Sequence, residues 1–230
     1  DYMKPALRMA ALMRTPVKFI YSHDAFRVGE DGPTHQPVEH EAQLRLMEKL
    51  QNHMGEDSVR VFRAADADEM TVCWQMAMEN MDTPTALILS RQNIKSLPEG
   101  NDYQKARKGA YVVAGSDEQY DIILLASGSE VSTLIEGAEL LRKDGVRCRV
   151  VSVPSEGLFR RQPVGYQLLV LPSEAKVFGM TAGLPVTLQG LVGCHGRVFG
   201  MNSFGFSAPY KVLDEKLGFT PENVYKQVKD

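Results

Sequence analysis

Five short apolar runs, VKFIY (17–21), VRVFRAA (59–65), TALILS (85–90), DIILLAS (121–127) and RCRVVSV (147–153), recur along the chain with helical stretches between most of them. Runs of this length, rich in Val, Ile and Leu with little polar alternation, suit strands covered on both faces. Parallel neighbours need a crossover, and a helix lying on the sheet supplies it. The alternation therefore predicts an α/β fold with mostly parallel sheets. The helices carry their own signals. DYMKPALRMAALMR has Pro5 in a first turn and Leu7, Ala10, Ala11 and Arg14 at helical spacing. In THQPVEHEAQLRLMEKL, Pro37 marks a helix start, and Val38, Ala42, Leu46 and Leu50 fall four apart, which predicts that these four face the sheet. Asp66 and Glu69 form a capping pattern ahead of TVCWQMAMENM, and EVSTLIEGAELLRKDG stops at Gly145.

The stretch RQNIKSLPEGNDYQKAR (91–107) loses this periodicity and gathers Pro, Gly, Asn and charge, as inter-domain linkers do. The expected division is a first unit over 1–92, a linker over 93–107 and a second unit over 108–230. The second unit reads as strand AYVVAG, turn SDEQ, strand DIILLAS, a helix and strand RCRVVSV. Beyond Pro154 only KVFGM stands out as a strand, with PYKVLDEKLG and TPENVYKQVK as terminal helices. The chain has 230 residues, room for two such units. Its net charge of -3 gives no basic footprint for nucleic acid. No apolar run approaches the roughly 20 residues that span a bilayer, and no secretory leader is legible, so a cytoplasmic location is expected. Cys73, Cys148 and Cys194 are odd in number with no C-x-x-C pair, and all three are expected to be buried free thiols.

Chemistry concentrates in VGEDGPTHQP (28–37) and its flanks. His23, His35 and His40 lie within eighteen residues, beside Asp24, Glu30 and Asp31, on a loop at the carboxyl end of a strand. That sheet edge is where α/β folds bind ligands. HQPVEH has the wrong spacing for the zinc pattern H-E-x-x-H, and no metal site is expected here. Arg91 ends TALILS as His23 follows VKFIY, so both are placed at one sheet edge, where a guanidinium suits phosphate or carboxylate; a surface arginine at a linker is the equal alternative. SGSE (127–130) has the location of a phosphate-binding turn but lacks the full glycine pattern, and a structural strand-to-helix turn fits it better. His195 and FGFSAPY (204–210) read as packing and turn chemistry.

SHDAFRVGEDGPTHQPVEH closely resembles the histidine-rich motif of the transketolase family, and SRQN, ASGSEV and GFTPENV follow in that family's order. The resemblance covers essentially the whole chain, and AFRV and EKLQNHMGEDSV depart from the commonest pattern. It implies an incomplete thiamine-diphosphate-binding (pyrimidine) domain followed by a smaller transketolase C-terminal-like domain, with the family's catalytic glutamate upstream of residue 1. The implied reaction moves a two-carbon ketol unit from a ketose phosphate to an aldose phosphate, as in the pentose phosphate pathway. The implied cofactor is thiamine diphosphate with Mg2+ or Ca2+ in the full-length enzyme, not bound by this chain alone, and the implied full-length state is a homodimer. By the same resemblance His35 is the catalytic histidine, His23, Asp31 and Arg91 bind substrate, and Tyr2 contacts the cofactor. Two alternatives stand beside it: a separate subunit of a split transketolase, and a noncatalytic binding or assembly module.

Overall fold

The computed structural model describes residues 1–115 and 119–230. The turn expected over SDEQ lies, but for Gln119, outside them. The first unit runs α1 (Lys4–Met13), β1 (Lys18–Tyr21), α2 (His40–Met47), β2 (Arg60–Phe62), α3 (Ala67–Glu79) and β3 (Thr85–Ile88). Its strands are all parallel, in the order β1-β3-β2. Side chains alternate across this sheet. Val61, Ala86 and Ile88 pack with Leu7, Ala10 and Ala11 of α1 on one face, while Phe62 and Leu87 pack with Val72, Cys73 and Met76 of α3 on the other.

The second unit runs β4 (Tyr111–Gly115), β5 (Ile122–Ala126), α4 (Glu130–Lys143), β6 (Cys148–Ser152), α5 (Glu156–Arg160), α6 (Val164–Val170), β7 (Val177–Met180), α7 (Val186–Gln189), β8 (Arg197–Phe199), α8 (Tyr210–Leu217) and α9 (Pro221–Lys229). The sheet order is β4-β6-β5-β7-β8, with β4 alone antiparallel. β4 and β5 are adjacent in sequence yet do not pair, because β6 lies between them. Leu124 faces the core shared with Phe62, Leu87 and α3, whereas Ile123 and Leu125 face Phe159, Val170 and Leu188. One hydrophobic core thus runs from the first sheet across to the second. Residues 91–107, linker-like in composition, run mostly exposed or half-buried over it, with Leu97 and Ala106 buried against the core. Leu97 is buried and Asp66 accepts from the Leu97 N–H and the Tyr103 hydroxyl, each at 2.8 Å.

Three expectations need correcting. VKFIY is not a buried strand: β1 is a sheet edge, and Val17 and Ile20 are exposed. Val38, Ala42, Leu46 and Leu50 do not form one inward face of α2: Val38 is buried but precedes the helix. The helix begins at His40, buries Leu44 and Arg45, and leaves Leu46 and Leu50 exposed. Arg45 faces inward, paired on its own helix with Glu41 at 3.2 Å and Glu48 at 3.5 Å and donating to the Ser127 hydroxyl of the second unit at 3.3 Å. Cys73 and Cys148 are buried, but Cys194 is exposed, on the turn between α7 and β8.

The capping pattern holds with an added contact. Asp66 accepts from the Glu69 N–H at 2.8 Å, while Glu69 reaches back to the Ala65 N–H at 2.6 Å and across to the Ser152 hydroxyl at 2.8 Å. Burial pushes the Glu69 carboxyl from 4.5 up to about 7, against those hydrogen bonds. The folded state therefore holds a proton that the unfolded carboxyl releases, and this group's contribution to stability falls as pH rises from about 4.5 to about 7. In thermal melts the stability of Glu69→Gln relative to the unsubstituted chain is expected to increase between about pH 5 and about pH 8. A difference that does not change with pH would contradict this assignment.

Candidate functional site

The parallel register pairs Tyr21 with Ile88, so the segments leaving β1 and β3 emerge together at the carboxyl edge of the first sheet. His23 follows the first of these strands and Arg91 the second, and the Asp24 N–H donates to the Leu89 carbonyl at 3.0 Å. The chain then turns sharply. Ala25 adopts φ 55°, a value rare outside glycine, and a single 3-10 turn over Phe26–Val28 follows. Gly29 and Gly32 also have positive φ, which lets the loop fold back toward Pro37. Buried Gln36 braces it, donating to the Gly29 carbonyl and to the Phe206 carbonyl of the second unit, each at 2.9 Å. The Ser207 hydroxyl donates to the Glu30 carbonyl at 2.5 Å. Both units therefore hold the loop that carries the motif.

Beneath this loop lies a cleft of about 650 Å3 bordered by Tyr2, Tyr21, His23, His35, His40 and Leu44, with Gly183 and Phe204 added by the second unit. Tyr2, His23 and His35 are thus brought to one cavity. Asp31 and Arg91 are exposed and lie outside its lining. Nδ1 of His23 is 2.8 Å from the Ser22 hydroxyl and Nδ1 of His35 is 2.9 Å from the Thr34 hydroxyl. These contacts leave Nε2 as the nitrogen for a ligand, a donor when the hydroxyl donates to Nδ1. Tyr21 Oη, Gln36 Oε1 and His40 Nδ1 are buried without a hydrogen-bond partner, and all three residues border the cleft. Burial holds the His40 imidazole below its ordinary value, with Glu39 pulling the other way. A cavity lined by both apolar and polar side chains, with a few buried polar atoms lacking partners among the described residues, has the make-up of a small-molecule site.

Behind His23 is a chain of buried charges. Arg63, in VRVFRAA, donates from Nη2 to Asp24 Oδ2 at 2.6 Å, from Nη1 to Glu130 Oε2 at 2.6 Å and to the Ser127 carbonyl at 2.9 Å. Arg27 donates to Glu130 Oε1 at 2.6 Å and to Asp214 at 2.7 Å. Burial alone would raise the Glu130 carboxyl, but Arg63 and Arg27 overcome it and hold it down at about 2. Burial raises Asp24 above the ordinary carboxylate range, with Arg63 opposing and Glu130 adding to the rise. The SGSE turn serves this network: its Gly128, at φ 64°, leaves room for the Arg63 guanidinium, which a Cβ would meet at 2.5 Å. That space is filled, so the turn is structural and not a phosphate cradle. Among the described residues no three His, Cys, Asp or Glu side chains gather to hold a metal, and no helix is long and apolar enough to cross a membrane.

Comparison with known proteins follows the two units. The family described as transketolase, pyrimidine binding domain, matches residues 1–96, and the transketolase-like C-terminal domain matches residues 109–220. A transketolase of Staphylococcus aureus is 43% identical over 231 residues, 99% of this chain and 34% of that relative. Transketolase from Leishmania mexicana superposes with a TM-score of 0.88 at 38% identity, over 98% of this chain and 32% of that one. A transketolase mutant from Pichia stipitis in complex with xylulose 5-phosphate gives 0.87 at 34% identity, over 98% and 31%. The chain spans about a third of the length of the relatives it matches. Since both units match transketolase domains in order, and the superpositions cover nearly the whole chain, the chain belongs to the transketolase family.

Proposed function

We propose that these residues form the pyrimidine-facing and sugar-facing wall of a transketolase that moves a two-carbon ketol unit from a ketose phosphate to an aldose phosphate. The observation that carries this reading is the convergence of Tyr2, His23 and His35 on one cleft that also holds unpartnered polar atoms. Tyr2 is fully exposed at the rim, and Tyr21, Leu44 and Ile88 supply apolar surface. With the orphaned Tyr21 hydroxyl and His40 Nδ1, these residues fit the aminopyrimidine of thiamine diphosphate. When bound, that cofactor supplies the electron sink for carbon–carbon cleavage and ligation. The diphosphate with its Mg2+ or Ca2+ is assigned to residues outside this chain, across the interface of a homodimer. The domain division over 1–92, 93–107 and 108–230 belongs to the same proposal.

The roles proposed for this chain's residues are those the family resemblance implies, and the cleft supports those of His23 and His35. His35 is held at Nδ1 by Thr34, so its Nε2 orients a donor oxygen and exchanges its proton as the carbonyl forms and reverts. His23, held at Nδ1 by Ser22, and Arg91, from the neighbouring strand end, bind the sugar phosphate. Asp31, exposed on the same loop, accepts a hydrogen bond from a donor hydroxyl and so selects its configuration. Titrating the isotope-labelled chain with xylulose 5-phosphate tests this assignment by NMR. Saturable shifts are expected at the His23 and His35 rings with none at exposed, distant His195. Shifts confined to His195, or none at the two cleft histidines, would overturn it.

A further inference from the structure

We infer that Arg63 and Glu130 are positioning residues through which the second unit sets the orientation of His23 at the mouth of the cleft. The inference rests on the proposed role of His23 as a sugar-phosphate ligand. Asp24, next in sequence, is 4% exposed and bears an asymmetric load. Its Oδ2 accepts from Arg63 Nη2 at 2.6 Å, Arg63 Nε at 2.9 Å and the Ser90 hydroxyl at 3.1 Å, while Oδ1 is buried with no hydrogen-bond partner among the described residues. A carboxylate with one oxygen over-subscribed and the other orphaned costs free energy that packing alone does not require. On its other side Ala25 is held at φ 55° and ψ -165°, a conformation of the kind that persists only where surroundings over-determine it. Asp24, which follows His23, therefore carries one costly feature and its neighbour Ala25 another, and the Arg63 guanidinium holds the first.

That guanidinium is itself held from the second unit. Glu130, at the start of α4 and fully buried, receives Arg63 through both oxygens, at 2.6 and 3.2 Å, and also accepts from Arg27 and from the Ala182 N–H at 3.2 Å. The Ser127 carbonyl completes the seat. Arg63 has no freedom to move without moving either the 127–130 turn or Asp24. A planar fork can hold both carboxylates at once, and a lysine ammonium at the same place cannot. The second unit reaches the cleft by this route as well as through Gly183 and Phe204 on its lining.

The test compares His23 ring-proton and ring-nitrogen NMR shifts in the chain, in Glu130→Gln and in Arg63→Lys, with exposed His53 and His195 as internal references. Arg63→Lys keeps the positive charge, so it is the deciding variant should Glu130→Gln not fold. The expected result is a displaced His23 ring signal in the folded variants, with the two reference rings unmoved and the circular dichroism of the parent retained. An unmoved His23 signal in folded Arg63→Lys overturns the inference, and so does an equal displacement of all three rings, which would report a general loosening. The role of His23 is scored separately, by the response of the unsubstituted chain to xylulose 5-phosphate, so failure of one claim does not register as failure of the other.

Discussion

Arg63→Ala is expected to lower the stability of the chain by about 3–5 kcal/mol, the cost of removing one member from a buried ion network and leaving the others uncompensated. The guanidinium is almost wholly buried and seated against Asp24, Glu130 and Glu41. Without it Glu130 still has Arg27 and Asp24 still has the Ser90 hydroxyl, but the emptied volume lies buried at the polar junction of the two units. Denaturant unfolding should show the loss in the transition midpoint, with a fall in melting temperature of about 10 °C. Arg147→Ala serves as the control. Arg147 also contacts a carboxylate, Asp121, at 2.7 Å, but both side chains are about half exposed and water can replace the partner, so its loss should be much smaller. Equal losses for the two variants would show that Arg63 is an ordinary surface-type pair and not the fastening between the units.

The second large effect is on turnover. In an enzyme assembled from this chain and the missing part of a related transketolase, His35→Ala is expected to reduce kcat by about 10²- to 10⁴-fold, the range for losing a positioned proton-exchanging group. The fold should be unaffected, since His35 is exposed and its side chain hydrogen-bonds the neighbouring Thr34 hydroxyl. KM should change far less than kcat, because the group acts on charge that develops during reaction more than on ground-state binding. Steady-state kinetics with a ketose phosphate donor checks this. Unchanged turnover in a variant that still binds xylulose 5-phosphate would favour a noncatalytic assembly role for the chain.

Sequence periodicity located the long elements because each buries its own regular face, as in α3 and α4, or forms an unbroken apolar run, as in β5 and β6. It did not reveal α5, α6, α7 or β8, which are short and owe their structure to the second sheet they cover. The rotation of α2 escaped for a different reason. Of four apolar residues at four-residue spacing, Val38 is buried ahead of the helix while Leu46 and Leu50 are exposed, and Arg45 turns inward to meet Ser127, 82 positions away. The cleft was legible in the clustering of His23 and His35 on a glycine- and proline-rich loop. Asp24 and Gln36 stand in that motif, yet what they do depends on Arg63 and on Phe206, which no local pattern supplies. The usable signal was the arginine inside VRVFRAA: a charge in a strand covered on both faces must find partners, and looking for them leads to the union of the two units.

The most direct test of the central claim is ketol transfer from xylulose 5-phosphate to an aldose phosphate, with thiamine diphosphate and Mg2+, in two samples. One holds these 230 residues alone; the other holds them joined to the remaining portion of the Staphylococcus aureus relative, with which they share 43% identity. Turnover is expected in the joined protein, lowered about 10²- to 10⁴-fold by His35→Ala, with negligible turnover in the chain alone. A joined protein that folds and binds the cofactor yet transfers no ketol unit would contradict the claim.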